Sequence, residues 1–279
     1  MLLIEPLSAA PPGQNQYIGF KLMSEGMDGY IRVRFPENVI SSLGWHFLDN
    51  VQPEIDRVSD VRVPEWQMDS DTGRIYYSIA TDEGINFSGS AVVVGHTVEM
   101  TFTVENHTDS PQDIEAQVCV DLSTSDSFGE PKVTGGTFAV YSGDKIGFNT
   151  LTGDLKEKRT AQTGYPWILM LTGDGPHDYL YGYQRSASWW IADQRADLPL
   201  IWRQSRDGRF LVAVAWGKET VHRLMTNTSI PCLHADPLAI KQLLPGRRAV
   251  WHGRIFVMEN DTNKLLEAYR RFQSDGLMR

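Results

Sequence analysis

"HTVEMTFTVENHTDSPQDIEAQVCVDL", residues 96–122, carries the fold in its spacing. In its first half Val98, Met100, Phe102 and Val104 alternate with Thr97, Glu99, Thr101 and Thr103. A strand turns successive side chains to opposite faces, so this is a strand with one apolar and one polar face. After Asn-His-Thr-Asp-Ser-Pro, a run of turn formers, the alternation resumes. Ile114, Ala116, Val118, Val120 and Leu122 take the core side; Glu115, Gln117, Cys119 and Asp121 lie opposite. The spacing predicts two antiparallel strands joined as a hairpin.

Outward from this pair, similar short runs recur at "RIYYSIA" (74–80), "AVVVG" (91–95), "TFAVY" (137–141), "WILML" (167–171), "DYLYGY" (178–183), "FLVAVAW" (210–216) and "AVWHGRIFV" (249–257). Gly, Pro, Asp and Asn clusters separate them. Many short strands between turn formers predict an all-β chain folded as an antiparallel β-sandwich. "FLVAVAW" is apolar throughout, which suits a strand covered on both faces. One short C-terminal helix is expected over 261–274 in "NDTNKLLEAYRRFQSDG": Leu265, Leu266, Tyr269 and Phe272 form one stripe, Asp261 caps the start and Gly276 follows the end. No fixed-period repeat or linker divides the chain, so residues 1–279 read as a single domain with an irregular N-terminal arm over 1–16.

With 279 residues, 41% of them hydrophobic and 22% charged, the composition is that of a globular protein. A formal net charge of -9, with "GRRAVWHGR" as the densest basic stretch, argues against a nucleic-acid partner, which requires clustered Lys and Arg. No apolar run approaches a membrane span, so no membrane partner is expected. "MLLIEPLSAAPPGQNQ" lacks a basic start and carries Glu5 where a signal peptide is apolar, which points to a cytoplasmic protein. Two cysteines, Cys119 and Cys232, make no disulfide framework and read as free thiols.

Nucleophile-elbow, phosphate-loop, dinucleotide and paired-histidine zinc motifs are absent. Eight Trp, ten Tyr and eleven Phe remain. "GPHDYLYGYQRSASWWIAD", 175–193, gathers His177, Tyr183, Arg185, Trp189 and Trp190; "GWHFLDNVQPEIDRVSDVRVPEWQMD", 44–69, holds Trp45, His46 and Trp66. Aromatic rings stack on the apolar side of a sugar while polar edges hydrogen-bond it, though such rings equally pack sheet on sheet. In "IPCLHADPLAIKQLLPG", 230–246, Cys232, His234 and Asp236 occupy alternate positions and so project together from a strand. A histidine beside a carboxylate suits acid/base work. A metal would need further ligands from elsewhere, and this is no specific zinc spacing. No metal or cofactor is therefore expected, and a structural role at the sheet edge stays open.

"TVENHTDSPQ" (103–112) and "IPCLHADPLAIKQLLPGRRAVWHGRIFV" (230–257) together resemble galactose mutarotase-like β-supersandwich proteins, in which a long strand ends in an Asn-x-Thr-Asp turn and an acidic-Pro segment precedes a Leu-x-Pro-Gly turn and a final strand. The resemblance implies that fold. It also implies a base from the acidic-Pro segment, where Asp236 or His234 falls, and a histidine acid, for which His177 is a candidate. The chain departs from the pattern in having "CVDLSTSDSF" where the family shows a His-x-Tyr-Phe type motif, and Arg247 after Pro-Gly where the family has Glu. Relatives of this fold act on sugars as epimerases, lyases and glycosidases. The expectation is thus a concave face binding a sugar or oligosaccharide, with His234, Asp236, His177, Tyr183 and Arg185 as catalytic candidates and Trp45, His46, Trp66, Trp189 and Trp190 contacting substrate. A non-catalytic carbohydrate-binding sandwich, or a structural subunit whose aromatics form a homo-oligomer interface, is the alternative.

Overall fold

The computed structural model describes residues 1–7, 18–48, 66–129, 136–151, 167–173, 189–217, 221–228, 230–236 and 238–276. Its strands form two sheets. The ten-stranded sheet runs β1 (Leu2–Pro6), β2 (Gly19–Ser24), β3 (Ile31–Ser41), β9 (Gln112–Asp121), β17 (Cys232–Asp236), β16 (Arg223–Asn227), β12 (Trp167–Thr172) and β13 (Trp189–Ala196). Off this path β4 (Gly44–Leu48) pairs with β3, and β18 (Leu238–Leu243) with β9. The nine-stranded sheet runs β11 (Asp144–Gly147), β10 (Thr137–Tyr141), β14 (Leu200–Gln204), β15 (Phe210–Trp216), β19 (Arg248–Glu259), β8 (Thr97–Asn106), β7 (Ile85–Val94), β6 (Arg74–Ile79) and β5 (Gln67–Asp69).

The all-β sandwich expected from the alternation is present, and the strands of "RIYYSIA", "AVVVG", "TFAVY", "WILML", "FLVAVAW" and "AVWHGRIFV" all form. The hairpin does not. β8 pairs with β7 and β19, while β9 pairs with β3, β17 and β18 in the other sheet. The chain crosses the sandwich between them, and Asn106 secures the crossing. Fully buried, its amide donates to the carbonyls of Ser110 and Leu243 and accepts from Thr108 N and Oγ1. A buried amide bonded on both ends replaces the two-strand turn that the sequence suggests.

Three smaller differences concern the chain start, one strand pair and the helix end. Residues 2–6, within the expected arm, form β1 against β2. β12 and β13 pair in parallel rather than antiparallel. The helix, α1 (Thr262–Gly276), includes Gly276 instead of ending before it. "DYLYGY" lies outside the described residues.

The facing surfaces of the sheets enclose the core. Phe35 of β3 meets Phe102 of β8 and Trp216 of β15 at ring-centroid distances of 5.9 and 6.1 Å. On the far side of the nine-stranded sheet, Leu265, Tyr269 and Phe272 of α1 pack with Trp202, Leu211, Ala213, Ala215 and Phe256. This is why "FLVAVAW" carries no polar face: one side meets the sandwich core and the other meets the helix. Among the described residues no helix is long and apolar enough to cross a membrane.

Asp261 Oδ1 accepts from Lys264 N at 3.1 Å, satisfying a first-turn amide that would otherwise be orphaned. Asp261→Ala is expected to cost about 1 kcal/mol, read as a lower urea midpoint at unchanged slope.

Candidate functional site

The face of the ten-stranded sheet turned away from the core is the unusual one. On β17, Leu233 and Ala235 enter the core, so Cys232, His234 and Asp236 point outward together, as their spacing predicts. Cross-strand pairing collects further groups on that face. Arg223 and Met225 of β16 stand opposite Asp236 and His234; Asp121 of β9 stands opposite Cys232; Arg34 and Asn38 of β3 stand opposite Cys119 and Gln117. The polar residues of β9, expected merely to lie opposite the core, are buried: Glu115, Gln117, Cys119 and Asp121. β9 is thus buried on both faces, and its own side chains on the outer face are polar.

Buried charge is costly unless paired, and here it is paired. Arg223 Nε donates to Asp236 Oδ1 at 2.9 Å, and His234 Nδ1 lies 3.0 Å from Asp236 Oδ2. Arg34 Nη1 donates to Glu37 Oε1 at 3.2 Å and its Nη2 lies 3.5 Å from Asp121 Oδ2. Glu37 Oε2 lies 3.7 Å from His234 Nδ1 and joins the two groups into one array. His234 and Asp236 are fully buried, whereas Glu37 and Arg34 retain 14% and 10% side-chain exposure, so the array opens toward solvent on the β3 side.

Glu37 reaches this place because the β3–β9 register shifts between Arg34 and Asn38. Such irregularities re-aim side chains and recur beside functional sites. Pro36, which cannot donate to a ladder, was the sequence feature that could have located it.

Electrostatics follow from these neighbours. Burial by itself would raise the Asp236 pKa, but Arg223 and then His234 hold it below the ordinary carboxylate value. Burial by itself would lower that of His234, but the Cys119 sulfur, the Asp236 hydrogen bond and Glu37 outweigh it and raise it well above the usual imidazole value. The Cys119 thiol is pushed up by its hydrogen bond with Cys232 and by burial.

Two polar atoms on the face lack a hydrogen-bond partner among the described residues: His234 Nε2 and Gln117 Nε2, both buried. Buried donors and acceptors are nearly always satisfied, so an exception calls for an explanation. Trp167 of β12, which sequence reading passed over inside "WILML", meets the His234 ring edge-on at 5.2 Å and packs with Leu169 and Met225. An aromatic wall therefore stands beside the ionic array. Cys119, Cys232 and His234 are also the group among the described residues whose ligand atoms lie close enough together to hold a metal ion.

The other sequence candidates sit elsewhere or are not described. His177, Tyr183 and Arg185 lie outside the described residues, as does the side chain of Trp189. Trp190 is buried in the sandwich core. Trp66 packs edge-on against Phe20 and Tyr77 at 6.1 and 4.8 Å, also on the core side. Trp45 is half-buried on β4. His46 Nε2 bonds Ser41 Oγ at 2.7 Å, with Nδ1 3.9 Å from Glu83, and burial lowers its pKa against the pull of Glu83. The structure thus joins His234 and Asp236 but does not gather Trp66 and Trp190 with them.

No family model matches the chain, and no curated protein does. Among solved structures, the Slr1438 protein from Synechocystis sp. PCC 6803 is similar at 13% identity and TM-score 0.44, over 88% of this chain and 90% of that one. A "putative aldose 1-epimerase" from Escherichia coli K12 is similar at 11% identity and TM-score 0.44, over 93% and 100%. The GH36 alpha-galactosidase AgaB from Geobacillus stearothermophilus is similar at 8% identity and TM-score 0.36, over 93% of this chain and 32% of that one. At these scores the chemistry in those names stays with those proteins.

Proposed function

We propose that the outer face of the ten-stranded sheet binds a sugar and that Glu37, His234 and Asp236 form the acid/base set acting on it. The observation that carries this reading is the buried ionic array itself: Asp236 and Glu37 both lie against His234 Nδ1, at 3.0 and 3.7 Å, and Glu37 keeps 14% side-chain exposure. A sugar offers many hydroxyls, each both donor and acceptor. Carboxylates and guanidiniums alternating along a face meet both capacities, and charge-assisted hydrogen bonds are the strong ones. Trp167 supplies an apolar wall of the kind on which sugar rings pack.

Asp236 holds His234 by Nδ1 and leaves Nε2 directed elsewhere, which is how a carboxylate orients an imidazole for proton transfer. Glu37, partly exposed and braced by Arg34, is placed to exchange a proton with a sugar hydroxyl. Proton transfer at an anomeric hydroxyl, or beside a carbonyl, is the reaction class these groups serve.

Glu37→Gln keeps the size and the Arg34 hydrogen bond but removes the proton-accepting charge. It is expected to slow turnover of the accepted sugar by at least about 100-fold while changing its Kd only a few-fold. Trp167→Ala is expected to weaken binding instead. If both variants interconvert anomers and bind sugar as wild type does, the site lies elsewhere. If binding falls with Trp167→Ala while no sugar is ever turned over, the protein is a binding module.

A further inference from the structure

Two strands distant in sequence bring a second donor set to the same face. Cys119 on β9 and Cys232 on β17 are free and buried. Their sulfurs and a ring nitrogen of His234 lie within 4.8 Å of one another. The pairing of Cys232 with Asp121 and of Leu233 with Val120 sets this geometry, since two rungs on it carries His234 across from Cys119. Sequence spacing offered one cysteine and one histidine; the sheet adds the second thiol.

His234 is prepared as a ligand in the manner of metal-bound histidines. Asp236 takes Nδ1, fixing ring orientation and tautomer, and Nε2 has no partner among the described residues. A carboxylate behind the imidazole is the usual outer-shell support of such ligands. Arg223 in turn holds the other oxygen of that carboxylate.

We propose that Cys119, Cys232 and His234 bind a thiophilic divalent cation of the zinc type, with the fourth position open. In a tetrahedral site with metal–sulfur bonds of about 2.3 Å, donors stand roughly 3.4–3.8 Å apart, so ligand atoms within 4.8 Å of one another have to draw in by about 1 Å at most. Three protein ligands with one position free is the pattern of catalytic rather than structural zinc. The inference rests on the sugar-binding reading for the occupant of that position, a sugar oxygen polarised by the cation. It also sharpens that reading: with its lone pair on the metal, His234 becomes a ligand, Asp236 its positioning group, and proton transfer falls to Glu37.

The test uses the whole chain, stripped with a chelator and titrated with Co(II) in oxygen-free reducing buffer. One equivalent should bind with a sulfur-to-cobalt charge-transfer band in the near-ultraviolet, and one equivalent of Zn(II) should displace it. Cys119→Ser and Cys232→Ser should each lose most of that band, and Asp236→Asn should weaken Co(II) binding roughly 10–100-fold. No band in the wild-type protein overturns the inference, whatever the variants do; so does a band that survives in the double cysteine variant. An aldose added to the Co(II) form should shift the visible bands. Stoichiometric Co(II) binding with no sugar response upholds the metal site and overturns the sugar as its ligand.

Discussion

Arg223→Met will destabilise the fold by about 3–5 kcal/mol, measured as a fall in urea unfolding free energy. Arg223 and Asp236 form an ion pair with side-chain exposures of 2% and 0%. Their mutual attraction does little more than offset the cost of taking both from water, but removing one leaves the other charged, buried and short of a partner. The signature is in the double variant. Arg223→Met with Asp236→Leu should recover part of the loss, because the carboxylate is no longer left buried without its arginine, while His234 Nδ1 gives up its acceptor. If the double variant is as unstable as the sum of the singles, the pair is not coupled as its 2.9 Å geometry requires.

Trp216→Ala will cost a similar amount, about 3–5 kcal/mol, for a different reason. The ring is fully buried, lies against Phe35 across the sandwich, and sits over Gly253 of β19 so closely that a Cβ there would fall 2.5 Å from it. Truncation leaves a cavity between two sheets whose backbone hydrogen bonds resist collapse. Gly253→Ala alone should cost about 1–3 kcal/mol by overpacking, and that cost should disappear in the Trp216→Ala background, where the atoms it strikes are gone. Additive losses would show that Gly253 is there for a reason other than Trp216.

The strands were legible because period-2 alternation is a direct print of a sheet with one apolar face. Val98 to Val104 is an example; the run at 211–216 was legible instead by being apolar throughout, as a strand covered on both faces is. What alternation cannot say is what lies over the polar face. Glu115, Gln117 and Asp121 look like a solvated surface in sequence, yet they are buried, with Gln117 bonded to Asn38 and Asp121 beside Arg34. The Asn-His-Thr-Asp-Ser-Pro turn was legible as a turn but not as a crossing between sheets, since the bond that secures it runs from Asn106 to Leu243, 137 residues away.

The candidate site was half legible for the same reason. Cys232, His234 and Asp236 share a strand, so their common direction follows from spacing. Arg223, Cys119, Glu37 and Trp167 come from four other strands, and only sheet order places them there. Pro36 inside a strand and a cysteine among the polar positions of β9 were the local hints. The aromatic stretch at 175–193 drew attention by density, but density does not distinguish a ring that packs a core, as Trp190 does, from one that faces a ligand.

The most direct test of the central claim is ligand-observed NMR of the wild-type protein with a panel of aldoses and uronic acids, following saturation transfer from protein to sugar and exchange between anomers in one experiment. The account predicts saturation transfer to at least one sugar, with anomer exchange accelerated over buffer and restored to the buffer rate by Glu37→Gln. Absence of saturation transfer to every sugar in the panel would contradict it.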